Sequence, residues 1–300
     1  MFYLVIRTEN LTKFYGHRPG VQDLTLGVEP GEVFGFLGTA GAGKTTTIRM
    51  LLDFVRPTAG RALVLGQDVH KHSLDIRRQV GYLPAKFSFS GRMTGEDCLR
   101  YLAGLRGDVS WAYVQALSEQ LGINLSGRFA HLCPVEKQKL GLVQAFMHRP
   151  ELLILDEPAR GLDDEARDAL FHLIGQARRE GRSVFMATQS LHDVERICDR
   201  VGILHQGRLL AVERTVRLRG RALRRVEMRF AGPVSPDIFA HLANVENIRL
   251  EDNFLSCTVR GDPDPLIKLA SKYRVTDLLC QQPALEEVFN RYYGVGSYAA

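Results

Sequence analysis

The chain has 300 residues, of which 45% are hydrophobic and 24% are charged, and its formal net charge is +5. These values are ordinary for a folded globular protein, so they exclude a disordered or fibrous chain, and the length allows two domains. No run of 18 apolar residues occurs and the five cysteines form no CxxC pair, so we expect no membrane span, no zinc site and a reducing compartment.

Short apolar runs, flanked by glycine or charge, recur through the first two thirds of the chain and predict strands buried on both faces. Helical patterns lie between them, and this alternation indicates an α/β fold with a mostly parallel sheet and helices on both sides. The Gln206-Gly207 pair within 203–211 predicts a hairpin, and therefore an antiparallel portion. The predicted strands are 4–6, 33–36, 62–65, 80–83, 152–155, 183–187 and 201–204, and the predicted helices are 46–54, 96–105, 111–121, 137–147, 165–179 and 191–197.

The pattern changes near residue 215, where an arginine-rich stretch begins. We interpret 216–225 as a basic linker between a first domain, 1–215, and a second domain, 226–300. In the second domain the order strand, helix, two strands, helix, strand predicts a small ferredoxin-like α+β sandwich, and one more helix is predicted within 284–293. This domain carries no cluster of catalytic residue types, which favours a regulatory or assembly role.

A glycine-rich loop follows the predicted strand EVFGF and matches G-x-x-x-x-G-K-[ST]. Its glycines allow backbone N–H groups to close around phosphates, and the helix that follows adds partial positive charge at its N-terminus. Lys44 is expected to reach the outer phosphates, and the Thr45 hydroxyl to coordinate Mg²⁺. The predicted nucleotide-binding residues are Gly38, Thr39, Ala40, Gly41, Ala42, Gly43, Lys44, Thr45 and Thr46.

Two carboxylates end the predicted buried strand in LLILDEP (152–158). Asp156 is expected to lie beside the phosphate loop and to hold Mg²⁺ through water. Glu157 follows, where it would orient and deprotonate an attacking water as a catalytic general base. Together with the loop, this pair predicts nucleotide hydrolysis rather than binding alone.

These motifs, together with LTKFYG (11–16), VGYLP (80–84), RGLDD (160–164) and the stretch 194–211, resemble the ATP-binding subunit of an ATP-binding-cassette (ABC) transporter over residues 8–212. The C-terminal PALEEVFNRYYG is similar to the tail domain of the branch that serves drug, antibiotic or lipid exporters. The resemblance implies an ABC-type P-loop NTPase fold that uses ATP and Mg²⁺, with Tyr15 stacked on adenine.

The same resemblance implies partners. Two such domains would meet head to tail with ATP at the seam, as a homodimer or a heterodimer, and a separate transmembrane permease would dock near the segment after VGYLP. The chain would then be cytoplasmic and peripheral on the inner face of the cell membrane. No nucleic acid partner is expected.

Three places depart from the family pattern. LCPVE (132–136) replaces the Ser-Gly-Gly signature, so a hydroxyl and close backbone amides are lost, although a proline suits the first position of a helix. Glutamine replaces the switch histidine and alanine the docking-loop glutamine, whereas His192 is interpreted as a helix-surface histidine. We therefore expect tight Mg-ATP binding with slow hydrolysis. The altered positions are Ala85, Cys133, Pro134, Val135 and Gln189.

More than one function remains open. The leading hypothesis is the ATPase subunit of an exporter; the alternative is a nucleotide-gated regulatory subunit that pairs with an intact relative and hydrolyses little. A cassette ATPase acting on ribosomes or DNA is disfavoured, because only one cassette and no long coiled-coil insertion occur. A P-loop kinase would need an acceptor pocket and a lid, for which the sequence gives no sign.

Overall fold

The computed structural model describes residues 3–90, 92–216, 223–235 and 237–281. The chain divides into two compact units, Met1–Glu213 and Arg214–Ala300. In the described part of the chain, no helix combines the length and the apolar character that crossing a bilayer requires.

A six-stranded sheet forms the centre of the first unit, in the order β10-β9-β3-β8-β7-β6. Neighbouring strands from β9 to β6 run parallel, and every residue of β3, β7 and β8 is buried, as the consecutive apolar runs predict. β10 is joined to β9 by the predicted turn, in which Gln206 and Gly207 both have positive φ (45° and 79°). The strands are β3 (Val33–Gly38), β6 (Val80–Leu83), β7 (Leu152–Asp156), β8 (Ser183–Thr188), β9 (Arg200–His205) and β10 (Arg208–Arg214).

A second sheet of the first unit is antiparallel, in the order β2-β1-β4-β5, which corrects the expectation that the early strands belong to the parallel sheet. β2 was not predicted from the sequence. In this strand, buried Leu24, Leu26 and Val28 alternate with more exposed residues. Such alternation is typical of a half-buried antiparallel strand rather than a continuous apolar run. The strands are β1 (Ile6–Tyr15), β2 (Arg18–Val28), β4 (Ala59–Val64) and β5 (Gln67–Asp68).

Both sheets share one hydrophobic core, in which Leu24 of β2 and Ile48 of the first helix lie in the same cluster as Phe34 and Ile154 of the parallel sheet. Six of the seven α-helices formed by the described residues of this unit were predicted, with ends shifted by a few residues. The missed helix, α2, buries only Ile76, so it shows no apolar stripe. The helices are α1 (Lys44–Leu51), α2 (Ser73–Gln79), α3 (Gly95–Arg106), α4 (Trp111–Gln120), α5 (Pro134–Phe146), α6 (Asp164–Arg179) and α7 (Leu191–Ile197).

The second unit contains a four-stranded antiparallel sheet in the order β12-β13-β11-β14, and its elements follow one another as β-α-β-β-α-β. Its core includes Phe230, Phe239, Leu255 and Leu266. The elements are β11 (Leu223–Phe230), α8 (Asp237–Ala240), β12 (Val245–Glu251), β13 (Phe254–Arg260), α9 (Asp264–Ala270) and β14 (Val275–Gln281).

Two boundaries of the second unit differ from the sequence expectation. β11 begins three residues before the predicted domain start, because Leu223–Arg225 already pair with β13, so the end of the expected linker is strand. The first helix of this unit is predicted over 235–245, but α8 spans only Asp237–Ala240, and Val245 pairs with Val259 of β13. The helix expected within 284–293 lies outside the described residues.

Candidate functional site

The phosphate loop, the carboxylate pair and the switch position lie at one edge of the parallel sheet. β3, β8 and β7 are neighbours, and Gly38, Thr188 and Asp156 are their last residues. In α/β sheets, ligands bind beyond the carboxyl ends of the parallel strands. The strand order therefore places three sequence-distant segments around one cleft.

The loop between β3 and α1 depends on glycine for its shape. A Cβ atom on Gly38 would lie 2.6 Å from the carbonyl oxygen of Leu204, and one on Gly43 would lie 2.5 Å from that of Gly20. Gly43 also has a φ of 111° and is the N-cap of α1, with no side chain to cap the helix. The first amides of α1 are thus left for a ligand, an arrangement that favours an anion.

Lys44 is the first residue of α1 and is almost fully buried, with 6% of its side chain exposed. Its ammonium group donates to the carbonyl oxygens of Gly38 (2.7 Å) and Thr39 (3.1 Å). The Nζ atom also lies 3.2 Å from Oε1 of Glu157. The lysine is therefore held over its own loop and paired with the carboxylate that the sequence predicts as the general base.

Thr45 and Asp156 are joined directly, because the threonine hydroxyl donates to Oδ2 of the carboxylate at 2.7 Å. Burial raises the pKa of the Asp156 carboxyl, and the hydrogen bond from Thr45 opposes that rise. The other oxygen, Oδ1, is buried and accepts no hydrogen bond from any described residue. A hydroxyl beside a buried carboxylate with a free oxygen fits Mg²⁺, which prefers oxygen ligands and retains water.

Glu157 is held by both its backbone and its side chain. Its N–H donates to the carbonyl oxygen of Ala187 (2.8 Å), and its φ of 52° is unusual for a residue other than glycine. Its carboxylate accepts from the backbone N–H of Gln189 at 3.4 Å and from the side-chain amide of Gln189 at 3.2 Å. The predicted catalytic pair is thus in direct contact.

A cleft of about 390 Å³ lies over these groups. Thr46 and the exposed ring of Tyr15 line it. Gly38, Thr39 and Asp156 are not among the lining residues, but they are hydrogen-bonded to Lys44 and Thr45, which are. Ala85 was expected only as the position of a lost docking glutamine, and neither Gly20 nor Arg160 was predicted to line the site. The residues that line the cleft are Tyr15, Gly20, Ala40, Gly41, Ala42, Gly43, Lys44, Thr45, Thr46, Ala85, Glu157, Arg160 and Gln189.

The segment at the family's signature position starts α5, with Pro134 as its first residue, as expected. Cys133 is the N-cap: its sulfur accepts from the N–H of Glu136 at 3.5 Å, and the Glu136 carboxylate accepts from the N–H of Cys133 at 2.8 Å. This reciprocal pair is a capping box. An internal carboxylate therefore occupies the helix start.

His192 is exposed, as predicted, with 58% of its side chain accessible.

The chain is similar in sequence to proteins of ABC transporters. The profile described as ABC transporter matches residues 21–160. The bacitracin transport ATP-binding protein BcrA of Bacillus licheniformis is 36% identical over 212 residues, which cover 69% of this chain and 68% of that protein. The probable multidrug ABC transporter ATP-binding protein YbhF of Escherichia coli is also 36% identical over 212 residues, which cover 69% of this chain and 36% of that longer protein.

Comparison with solved structures agrees. The ATP-binding subunit of an ABC transporter superposes with a TM-score of 0.66 and 31% identity, over 72% of this chain and 92% of the other. A cassette bound to ADP and phosphate superposes with a TM-score of 0.64 over 70% of this chain and 98% of the other, and its 19% identity supports the fold alone. With the phosphate loop, the buried carboxylate and the cassette fold in place, this chain belongs to the ABC transporter family, as an ATP-binding domain.

Proposed function

We propose that the chain is the ATPase subunit of an exporter, in which Mg-ATP binding and hydrolysis at a head-to-tail dimer seam drive a separate membrane permease. The observation that carries this proposal is the convergence of Lys44, Thr45, Asp156 and Glu157 at one cleft. The printed names of the relatives, a bacitracin transport protein and a probable multidrug transporter, favour export of an antibiotic or drug.

Each group of the cleft has a task in this proposal. The loop amides and Lys44 bind the phosphates, and Tyr15 stacks on adenine. Thr45 and Asp156 would hold Mg²⁺, which when bound offsets charge on the phosphate oxygens. Glu157 orients the attacking water and accepts its proton, and Gln189 positions the Glu157 carboxylate through the two hydrogen bonds it donates.

Hydrolysis is proposed to be slow. The signature segment with Cys133, Pro134 and Val135 lacks the hydroxyl and amide donors that the family presents to the terminal phosphate, and Gln189 is neutral. A hydrogen bond to a charged group contributes about 1.5–3 kcal/mol. Loss of two of them slows the reaction by roughly 10²- to 10⁴-fold, since about 1.4 kcal/mol corresponds to a factor of ten.

One observation favours the second candidate, a nucleotide-gated regulatory subunit that pairs with an intact relative. The start of α5 is occupied by the Glu136 carboxylate, which accepts from the Cys133 N–H. A carboxylate there repels a partner's phosphate, so this chain would contribute little to a site across the seam. The partner's own signature helix would then complete the site that contains Lys44.

The remaining roles follow from this placement. The cassette corresponds to the first domain, 1–215, and we place it at the inner face of the cell membrane through the permease, in a homodimer or a heterodimer. The second domain, which begins by 226 after the basic stretch, would regulate or assemble the complex, because its sequence carries no cluster of catalytic residue types and its described part forms a packed antiparallel sheet.

Nucleotide titration tests the proposal. Lys44→Ala removes a buried ammonium group from the phosphate loop, so we expect the affinity for Mg-ATP to fall by at least about tenfold. The measurement is equilibrium binding of fluorescently labelled ATP to the full chain. An exposed lysine of α9, changed in Lys268→Ala, is the control and should leave the affinity unchanged. Unchanged affinity in Lys44→Ala would refute nucleotide binding at this cleft.

ATPase rates separate the two candidate functions. Glu157→Gln keeps the shape of the side chain but removes the base, so hydrolysis should fall by about 10²- to 10⁴-fold while ATP binding persists. A measurable wild-type rate that this variant abolishes supports the exporter ATPase. A wild-type rate already at the level of Glu157→Gln supports the regulatory subunit, and turnover of tens per second would contradict slow hydrolysis.

A further inference from the structure

The side chains that line the cleft carry one more positive than negative charge, and the carboxylate of Asp156, which does not line it, is bonded to Thr45. Among the described residues that line it, three carry a full charge: Lys44, Glu157 and Arg160. Lys44 and Glu157 are paired at 3.2 Å, and the lysine also donates to two carbonyl oxygens of its loop. The positive charge of Lys44 is therefore partly offset within the protein, whereas Arg160 adds an unpaired one.

Arg160 is exposed, and its guanidinium has no hydrogen-bond or ion-pair partner among the described residues. Its backbone is nevertheless fixed, because its N–H donates to the carbonyl oxygen of Glu157 at 3.1 Å and Leu162 bonds back to Ala159 at 3.2 Å. The turn is held from the other side by the buried Gln138 of α5, whose amide donates to the carbonyl oxygens of Glu157 (3.1 Å) and Pro158 (3.0 Å).

The switch position supplies no positive charge of its own. Gln189 is neutral, and its backbone N–H and its side-chain amide both donate to the Glu157 carboxylate. A nucleoside triphosphate carries one more negative charge at its end than a diphosphate, and that end must lie towards Glu157 if the carboxylate is to activate water beside it. Arg160 lies three residues after Glu157 in the same turn. Among the described residues, it is the cationic side chain without a partner that is nearest in sequence to Glu157.

We propose that Arg160 binds the terminal phosphate of a nucleoside triphosphate and so sets the preference of this cleft for tri- over diphosphate. The inference rests on the proposed function, since it assumes that the cleft binds nucleotide. A guanidinium is suited to this task, because it is always charged and presents paired donors that match phosphate oxygens. It supplies at this end of the cleft the charge that Gln189 lacks.

The test is a comparison of two affinities. Arg160→Ala and Arg160→Lys are titrated with Mg-ADP and with adenylyl imidodiphosphate, a triphosphate analogue that is not hydrolysed. Arg160→Ala should weaken binding of the triphosphate about tenfold more than binding of ADP, and Arg160→Lys should give an intermediate ratio because it keeps charge but loses the paired donors. Arg179→Ala, at the exposed end of α6, is the matched control and should leave the ratio unchanged.

The outcomes separate this inference from the function on which it rests. If the wild type binds neither nucleotide, nucleotide binding fails and the inference fails with it. If Lys44→Ala weakens binding of both nucleotides while Arg160→Ala leaves their ratio at the wild-type value, the site stands and the role of Arg160 is refuted. Raising the salt concentration should reduce the ratio in the wild type more than in Arg160→Ala, because the contact is solvent-exposed.

Discussion

At the scale of single residues, the shape of the cleft depends on glycines, because their lack of a side chain lets backbone segments approach one another closely. Gly38 ends β3 so close to β9 that even a methyl group would approach the carbonyl oxygen of Leu204 within 2.6 Å. Backbone cannot yield as a flexible side chain can, so a substitution must move either β9 or the loop. The same residue offers its carbonyl oxygen to Lys44, so strain here reaches the phosphate-binding lysine.

We expect Gly38→Ala to lower the free energy of unfolding by about 1–3 kcal/mol through this overlap, and to weaken ATP binding as the loop shifts. Urea denaturation and labelled-ATP titration measure the two effects. Gly104→Ala is the matched control: it lies in α3, with no atom within 4 Å of an added Cβ, and should be stabilising by about 0.5–1 kcal/mol. A Gly38→Ala protein as stable and as tight-binding as the wild type would contradict the close approach.

At the scale of elements, α5 links the altered signature position to the base. It begins with the box formed by Cys133 and Glu136, and in its first turns Gln138 holds the backbone of Glu157 and Pro158. The helix is therefore kept intact by residues that differ from the family pattern. A cysteine cap is a weak one, because sulfur accepts hydrogen bonds poorly, so the carboxylate of Glu136 supplies most of the capping.

Glu136→Ala should lower the free energy of unfolding by about 0.5–2 kcal/mol, because the N–H of Cys133 loses its acceptor and the first turn loses a negative charge. Equilibrium urea unfolding at pH 7 measures the loss. Glu119→Ala, an exposed glutamate near the C-terminal end of α4, should change stability by no more than about 0.5 kcal/mol. Equal midpoints for the two variants would show that the box contributes nothing.

At the scale of the whole molecule, one partly buried imidazole, whose two nitrogen atoms are buried, couples folding to pH. His148 lies just after α5, near Arg106, whose guanidinium donates to the carbonyl oxygens of Arg77, Arg78 and Val80. Burial, followed by the charge of Arg106, lowers the pKa of His148 to about 4. In the unfolded chain a histidine titrates near 6.5, so below that pH the unfolded state takes up a proton that the folded state does not.

Acid therefore destabilises the folded protein through this histidine. The contribution of His148 is fully present above about pH 6.5 and is lost as the pH falls towards 4, by about 3 kcal/mol in total. His148→Gln should therefore show a smaller loss of stability between pH 7 and pH 5 than the wild type. His172→Gln, at an exposed position of α6, should follow the wild type. Urea midpoints at both pH values measure the loss of stability, and equal losses in all three proteins would rule out this coupling.

The sequence by itself determined the features that depend on short stretches of chain. The phosphate loop needs glycines at fixed offsets before a helix, and buried parallel strands need uninterrupted apolar runs, so β3, β7, β8 and the loop were identified locally. The hairpin at Gln206-Gly207 was also predicted, because two positive φ angles require such residues. These are properties of neighbouring residues, and no long-range contact is needed to recognise them.

The tertiary structure decided which distant segments meet. The pairing of β1 with β2 and β4 separates an antiparallel sheet from the parallel one, and pairing partners are chosen by long-range register rather than by local composition. In the same way, strand order alone brings Glu157 to Lys44 and Arg160 to the wall of the cleft. An isolated arginine in a turn has no periodicity to mark it, since its role depends on charges that only folding brings together.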